Sequence, residues 1–124
     1  LRRIAVIGLS TDPSKPSHTV PRYLQEQGYT IYPVNPTAQD DILGQMVYAN
    51  AAAIPHPVDI VCVFRPSAAI PKVLDDVLRR DDIKVVWLQE GIEHPEAPIR
   101  VESRGLTLVQ NRCMYKEHRA LKGS

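Results

Sequence analysis

The stretch Ile4-Ala5-Val6-Ile7-Gly8-Leu9-Ser10 decides the fold of this chain. Four apolar residues in a row are typical of a strand that is buried on both faces, and the run ends at Gly8. The next apolar residues recur at helical spacing up to Gly28, a position that suits the left-handed residue after a helix. A second apolar run follows at 30–34. The pattern predicts a strand–helix–strand unit whose helix directs its first N–H groups at an anion, most often a phosphate.

The composition limits the class of protein. With 124 residues and 44% hydrophobic content, residues 1–124 are expected to form a single domain that acts with one site or with partners. A net charge of +1, with basic residues scattered among acidic ones, argues against nucleic acid and against a membrane surface as partners. Residues 1–3 lead into a strand without a signal-peptide core, and no run is long enough to span a membrane, so a cytoplasmic location is expected. The two cysteines argue against a disulfide framework.

Strand and helix patterns alternate along the rest of the chain. Further strands are predicted at 46–48, 58–64, 84–88 and 106–109, and further helices after Ser67 as N-cap, from Pro95 to Arg104 and from Met114 to Leu121. Six strands joined by helices predict an α/β fold with a doubly wound, Rossmann-like parallel sheet in three layers. The strand at 46–48 would lie at an exposed edge, which permits a weak homodimer as well as a monomer.

The same topology predicts where a ligand binds. In the dinucleotide-binding order, the first strand lies beside the strand that ends at Phe64, and a crevice opens between their carboxyl ends. A nicotinamide or flavin site would need Gly-x-Gly-x-x-Gly and an acidic residue after the second strand. This chain has one glycine, a loop with hydroxyls and Lys15, and Asn35-Pro36 in place of the acid. Lys15 and Arg65 suit a ligand with more than one phosphate group.

A family resemblance covers nearly the whole chain in order. Its matching stretches are Ala5-Val6-Ile7-Gly8-Leu9-Ser10, Lys15-Pro16-Ser17, Tyr23-Leu24 with Gly28-Tyr29, Pro33-Val34-Asn35-Pro36, Ile42-Leu43-Gly44, Pro57-Val58-Asp59-Ile60-Val61 with Val63-Phe64-Arg65, Val85-Val86-Trp87-Leu88-Gln89 with Gly91, and Asn111-Arg112-Cys113 with Glu117-His118. The sequence resembles the small stand-alone CoA-binding proteins and, more distantly, the CoA-binding domain of the succinyl-CoA synthetase alpha subunit. The resemblance implies that coenzyme A, free or acylated, lies over the first loop and the strand ends.

Site residues carry over from the resemblance position by position. It implies phosphate contacts at Gly8, Leu9, Ser10, Thr11, Lys15 and Ser17, an adenosine end at Asn35 and Pro36, a far wall of Phe64, Arg65 and Ser67, and a pantetheine side at Gln89, Gly91 and Ile92. His18 is either a further phosphate ligand or a polar residue near a helix start. The synthetase has a lysine soon after its second strand, where Thr37-Ala38-Gln39 supply no cation, so Lys15 or Arg65 would take that role. Asn111 stands where the family commonly has an acid.

The sequence leaves three functions open. The leading one is a non-catalytic CoA-binding module, because the synthetase's phosphohistidine lies in a second domain outside this sequence and its thioester chemistry is not transferred. The alternatives are an NAD(P)-dependent oxidoreductase-like protein and an interaction protein with a decayed nucleotide site. Cys113 is either a thiol nucleophile activated by Arg112 or a small packing residue. No pair of histidines has metal-ligand spacing, so no metal site is expected.

Overall fold

Five parallel strands form one sheet in the order β2-β1-β3-β4-β5. They are β1 (Arg3–Ile7), β2 (Thr30–Val34), β3 (Ile60–Val63), β4 (Val85–Leu88) and β5 (Thr107–Val109). The helices are α1 (Pro16–Glu26), α2 (Ile70–Val77), α3 (Glu96–Glu102) and α4 (Met114–Lys122), and a short 3-10 helix at Ser67–Ala69 precedes α2. This computed structural model describes residues 1–122. Within that range, no helix combines the length and the apolar character needed to cross a membrane.

Helices cover both faces of the sheet. Side chains of a strand alternate between the two faces, and Ala5 and Ile7 of β1 pack in the core that α2 and α3 cover. Ile4 and Val6 pack in the second core, which α1 and α4 cover. Because both faces are buried, the central strands have apolar residues at successive positions. The predicted α/β class, with a Rossmann-like parallel sheet in three layers, is confirmed.

The predicted strand at 46–48 is wrong, and the described part of the chain has five strands rather than six. Tyr48 makes one isolated parallel bridge with Val34, on the outer side of β2. The chain then leaves this edge because the carboxylate of Asp76, on α2, accepts the N–H groups of Ala51 and Ala52 at 2.7 and 3.0 Å. The exposed edge strand that would have permitted a weak homodimer is therefore not formed.

Ser67 is not the N-cap of the next helix, contrary to the prediction. Its hydroxyl oxygen accepts the N–H of Glu93 at 3.1 Å and makes no capping bond. The chain continues through the 3-10 turn, and α2 begins only at Ile70. Ser67 instead connects the start of this helical segment to the loop after β4.

Gly8 takes φ +86°, a conformation that favours glycine, and turns the chain at the end of β1. A Cβ at this position would lie 2.7 Å from the backbone oxygen of Phe64. The N–H of Phe64 donates to Ile7 at 2.8 Å, which holds the end of β3 against the end of β1. The first loop therefore crosses directly over the end of β3.

Two carboxylates hold the opposite, amino-terminal edge of the sheet. Asp59 accepts the backbone N–H groups of Arg2 and Arg3 and the Nε–H of Arg3 at 3.0 to 3.2 Å. Burial raises the pKa of Asp59, but these hydrogen bonds outweigh burial and keep it below its ordinary value. Asp82 pairs with Arg80 at 2.8 Å, and the hydrogen bond from that guanidinium lowers the pKa of Asp82.

Candidate functional site

A cleft of about 600 Å³ opens at the carboxyl ends of β1, β2 and β3. The strands β1 and β3 are neighbours, with Ile7 paired to Val63, as the dinucleotide-binding order predicts. The cleft is lined by Ile7, Gly8, Ser10, Lys15, Ser17, Val34, Asn35, Pro36, Thr37, Ala49, Asn50, Phe64, Arg65, Ala69, Lys72, Val73 and Asp76. This is the point of the sheet where chain connections diverge to opposite sides, and ligands of open α/β sheets bind there.

The first loop, residues 8–15, is shaped by its own polar side chains. Ser10 Oγ accepts the N–H of Asp12 at 3.0 Å. Asp12 Oδ1 accepts the N–H and the hydroxyl of Ser14 at 2.9 and 2.7 Å, and these bonds lower the pKa of Asp12. The N–H of Lys15 donates to the Asp12 carbonyl at 3.2 Å. These hydrogen bonds within the loop therefore hold Lys15 in place directly before α1.

Asn35 connects the loop after β2 to the first loop. Its Nδ2 donates to the Leu9 carbonyl at 3.0 Å, and its Oδ1 accepts the N–H and the hydroxyl of Thr37 at 3.0 and 2.9 Å. An aspartate could not replace it, because an ionised carboxylate only accepts hydrogen bonds. The residue that stands in place of the dinucleotide-site acid thus positions both loops.

His18 also positions the first loop. Its Nδ1 lies 2.7 Å from the Ser10 carbonyl oxygen. Because a carbonyl oxygen only accepts hydrogen bonds, the hydrogen in this contact is carried by Nδ1. The N–H of Ser10 in turn donates to the Ser17 carbonyl at 3.0 Å. The structure therefore gives His18 a backbone partner, and the side chain does not line the cleft.

Three cations line the cleft, and none of them has an ion pair within residues 1–122: Lys15, Arg65 and Lys72. The side chain of Arg65 lies over the first loop, with its Cδ 3.3 Å from the position of a Cβ on Gly8. The only carboxylate among the lining residues is Asp76, and it is occupied by the backbone N–H groups of the segment after Tyr48. The cleft therefore has an excess of positive charge and attracts anionic ligands.

The structure separates the residues that were predicted for the site into two groups. Those that line the cleft are Gly8, Ser10, Lys15, Ser17, Asn35, Pro36, Phe64 and Arg65. Those that lie outside its lining are Leu9, Thr11, His18, Ser67, Gln89, Gly91 and Ile92. Leu9 is fully buried in the core beneath α1. Lys72, Thr37 and Asn50 also line the cleft and were missed as site residues in the sequence. For Lys72 a signal was present, because the spacing of Ala69, Lys72, Val73 and Asp76 puts these four residues on one helix face.

The loop after β4 is bound to the end of β5 rather than to the cleft. Gln89 is buried, and its Oε1 accepts the N–H of Met114 at 3.0 Å and lies 3.5 Å from the Cys62 sulfur. The N–H of Gly91 donates to Asn111 Oδ1 at 2.6 Å, and the N–H of Asn111 donates to the Ile92 carbonyl at 3.1 Å. Gln89 thus satisfies the first N–H of α4, which the sequence position of Gln89 alone did not indicate.

The two thiols have different surroundings. Cys62 is fully buried, and burial raises the pKa of its thiol far above the ordinary value, which disfavours the reactive thiolate. Cys113 is half-buried and directly precedes α4. The neighbouring Arg112 pairs with Glu117 at 3.3 Å. Across residues 1–122, no three His, Cys, Asp or Glu side chains come together as a metal site.

Comparison with known proteins identifies the family. Residues 2–119 match the family described as CoA binding domain, and the chain belongs to this family. It is 39% identical over 121 residues to the protein YneT of Bacillus subtilis, across 98% of this chain and 88% of YneT. It is also similar to a Thermus thermophilus protein of solved structure, with 44% identity and a TM-score of 0.92 over 97% of this chain and 90% of the other.

Part of a larger enzyme is similar as well. The chain is 31% identical over 90 residues to the ADP-forming acetate–CoA ligase I of Archaeoglobus fulgidus, across 73% of this chain and 13% of the ligase. The chain is thus homologous to the CoA-binding part of ADP-forming acetyl-CoA synthetases and similar to succinyl-CoA synthetase-like domains, which confirms the resemblance seen in the sequence. Because the match covers a small part of the ligase, the ligase activity is not assigned to this chain.

Proposed function

We propose that this chain binds coenzyme A, free or acylated, in the cleft at the carboxyl ends of β1, β2 and β3. The observation that carries the proposal is the convergence of Lys15, Arg65 and Lys72, each without an ion pair among the described residues, on one cleft in a CoA-binding domain. The phosphates of CoA are the groups that such cations bind most strongly. A cytoplasmic location is part of the proposal, because the free thiols Cys62 and Cys113 suit a reducing compartment.

The start of α1 supports a phosphate site at the first loop. Pro16 begins the helix and has no N–H, and the N–H groups of His18 and Thr19 donate to the Lys15 carbonyl. Ser17 is the first residue of α1 with an N–H, and within residues 1–122 neither this N–H nor the hydroxyl has a partner. Ser17 lines the cleft beside Lys15, so a phosphate there would receive two neutral donors and one cation.

We also propose that the site binds its ligand without a reaction of its own. Asp76, the one carboxylate among the lining residues, is held by two backbone N–H groups, which leaves it poorly placed to accept a proton from a ligand. The test is to incubate the protein with acetyl-CoA and to follow release of the free thiol by chromatography. Release faster than in buffer, and lost on unfolding, would contradict this part of the proposal.

The binding test measures thermal unfolding and calorimetric affinity with CoA, dephospho-CoA, NAD and ADP in separate samples. A ligand at a hundredfold its dissociation constant adds about 2.7 kcal/mol, which for a domain of this length raises the melting temperature by about 10 °C. We expect such a shift with CoA. A shift with NAD and none with CoA would refute the proposal and favour an oxidoreductase-like protein, and no shift with any ligand would favour a decayed site.

A pair of variants tests whether CoA binds in the cleft. Lys15→Met removes a cation of the cleft, and the matched control Lys84→Met removes an exposed lysine at the start of β4, at the opposite edge of the sheet. Charge-assisted hydrogen bonds contribute enough that Lys15→Met is expected to weaken CoA binding about tenfold. Lys84→Met is expected to leave the affinity unchanged. Equal losses in both variants would show that only the overall charge matters.

A further inference from the structure

We infer that Lys72 binds a second phosphate, separate from the diphosphate at the first loop, so that the cleft selects adenosine nucleotides phosphorylated at both the 3′ and the 5′ position of the ribose. The inference rests on the proposed function and specifies the ligand class of the same cleft. CoA carries this 3′-phosphate, and dephospho-CoA, NAD and ADP lack it. The pair of CoA and dephospho-CoA therefore isolates the group in question.

The three cations of the cleft occupy two different places. Lys15 precedes α1, and the side chain of Arg65, from the loop after β3, lies over Gly8, so both cations lie at the first loop. Lys72 belongs to α2, in the wall that faces the segment after β2. A ligand with a single cluster of phosphates at the first loop would leave Lys72 without an anion.

The position of Lys72 at the β2 side of the cleft follows from contacts of its own helix. Lys72 and Asp76 lie four residues apart on α2, on one face of the helix. Asp76 accepts the N–H groups of Ala51 and Ala52, which brings the segment at 49–52 against this face. The same segment follows Tyr48, which is bridged to Val34 at the end of β2. Lys72 therefore stands across from the loop after β2.

The lining between the two cationic places suits a nucleoside. Val34, Pro36, Ala49 and Val73 line the cleft with apolar surface, and Asn50 and Thr37 add polar groups near the same side. A base and a ribose can occupy such a surface, with the 5′-diphosphate at the first loop and the 3′-phosphate at Lys72. Lys72 is exposed and has no ion pair within the described chain, so its ammonium is available to the ligand.

The test measures the affinities for CoA and dephospho-CoA by calorimetry at low ionic strength, because screening weakens exposed charges. We expect the wild-type protein to bind CoA about tenfold more tightly than dephospho-CoA. In Lys72→Met, the ratio of the two affinities should fall to about one to two, with the affinity for dephospho-CoA nearly unchanged. In Lys15→Met, both affinities should fall together and the ratio should stay near its wild-type value.

The outcomes distinguish this inference from the proposed function. If the wild-type protein binds neither ligand, the proposed function itself fails. If it binds both equally, or if Lys72→Met weakens both equally, CoA binding stands and the assignment of Lys72 to the 3′-phosphate is overturned. Lys84→Met serves as the control for net charge and should leave the ratio unchanged. Because Lys72 is exposed, the variant is expected to fold, and circular dichroism checks this before the titrations.

Discussion

Gly8→Ala adds one methyl group at the point where the first loop crosses the end of β3. Gly8 has φ +86°, and the added Cβ would meet the backbone oxygen and carbon of Phe64 at 2.7 and 3.2 Å. The Phe64 backbone cannot move away freely, because its N–H donates to Ile7 at 2.8 Å. The substitution therefore combines an unfavourable backbone conformation with a contact against a fixed neighbour.

Gly91→Ala is the matched control. Gly91 has φ +85°, almost the same as Gly8, but nothing lies within 4 Å of the added Cβ. A side chain in the left-handed region costs about 1–2 kcal/mol, and this cost applies to both variants. The contact with Phe64 adds about 1–3 kcal/mol in Gly8→Ala alone. We therefore expect free-energy losses of about 2–5 kcal/mol for Gly8→Ala and about 1–2 kcal/mol for Gly91→Ala.

Urea unfolding measures both losses of free energy and thermal unfolding measures the two melting temperatures, each followed by circular dichroism. With an unfolding entropy of about 0.26 kcal/mol/K for a domain of this length, the expected fall in melting temperature is at least about 8 °C for Gly8→Ala and about 4–8 °C for Gly91→Ala. The change that glycine replacement makes in the unfolded chain is common to both variants and cancels in their difference. Equal losses would refute the reasoning, because they would show that the first loop is free to move away from the end of β3.

Three further predictions concern charge, thiols and loop connection. The pKa of Asp82 in the folded protein is below its ordinary value of 3.8. The stability that Asp82 contributes is therefore complete above pH 3.8 and is lost as the pH falls through the lower, folded-state pKa. Asp82→Asn should be less stable at pH 7 and should lose less stability on acidification, which urea unfolding at several pH values measures. Cys113 should react with a thiol reagent in the native protein and Cys62 only after unfolding, and a count of two equivalents in native protein would contradict this. Asn35→Asp removes the donor to the Leu9 carbonyl and should cost about 1–3 kcal/mol, with Asp41→Asn as a surface control in the same unfolding assay.

Local patterns in the sequence were sufficient for the central elements of the fold. The apolar runs of β1 and β3, the helical spacing before Gly28 and the turn at Gly8 depend on neighbours in the chain, and the structure has them as predicted. The run at 46–48 has an equally plausible local pattern. Whether this run forms a strand depends on Asp76 of α2, which accepts the N–H groups of Ala51 and Ala52 in the segment that follows it. No local sequence pattern contains that contact.

Predicted site residues line the cleft where a local pattern places them, and residues were missed or misplaced where a distant contact decides their position. Lys15 and Arg65 lie in the loops that follow β1 and β3, where topology predicts a ligand. Gln89 also follows a strand end, but a backbone N–H of Met114 reaches its side chain from far along the chain. Lys72 lies within a helix, where a lysine is usually a solvated surface residue. It becomes a site candidate only when the helix face it occupies is seen to line the cleft.

The replacement of the dinucleotide-site acid by Asn35 has a consequence for ligand choice. In a dinucleotide site an acidic residue binds the ribose hydroxyls and repels a phosphate placed there. Asn35 is neutral, and its amide is already engaged with Leu9 and Thr37, so the end of β2 offers no negative charge to that part of a ligand. In the proposed CoA complex, a phosphate on the ribose meets no carboxylate at the end of β2, and Lys72 across the cleft attracts it. The proposed preference for CoA over NAD thus rests on two features of this chain, the neutral Asn35 in place of the dinucleotide-site acid and the cation of Lys72.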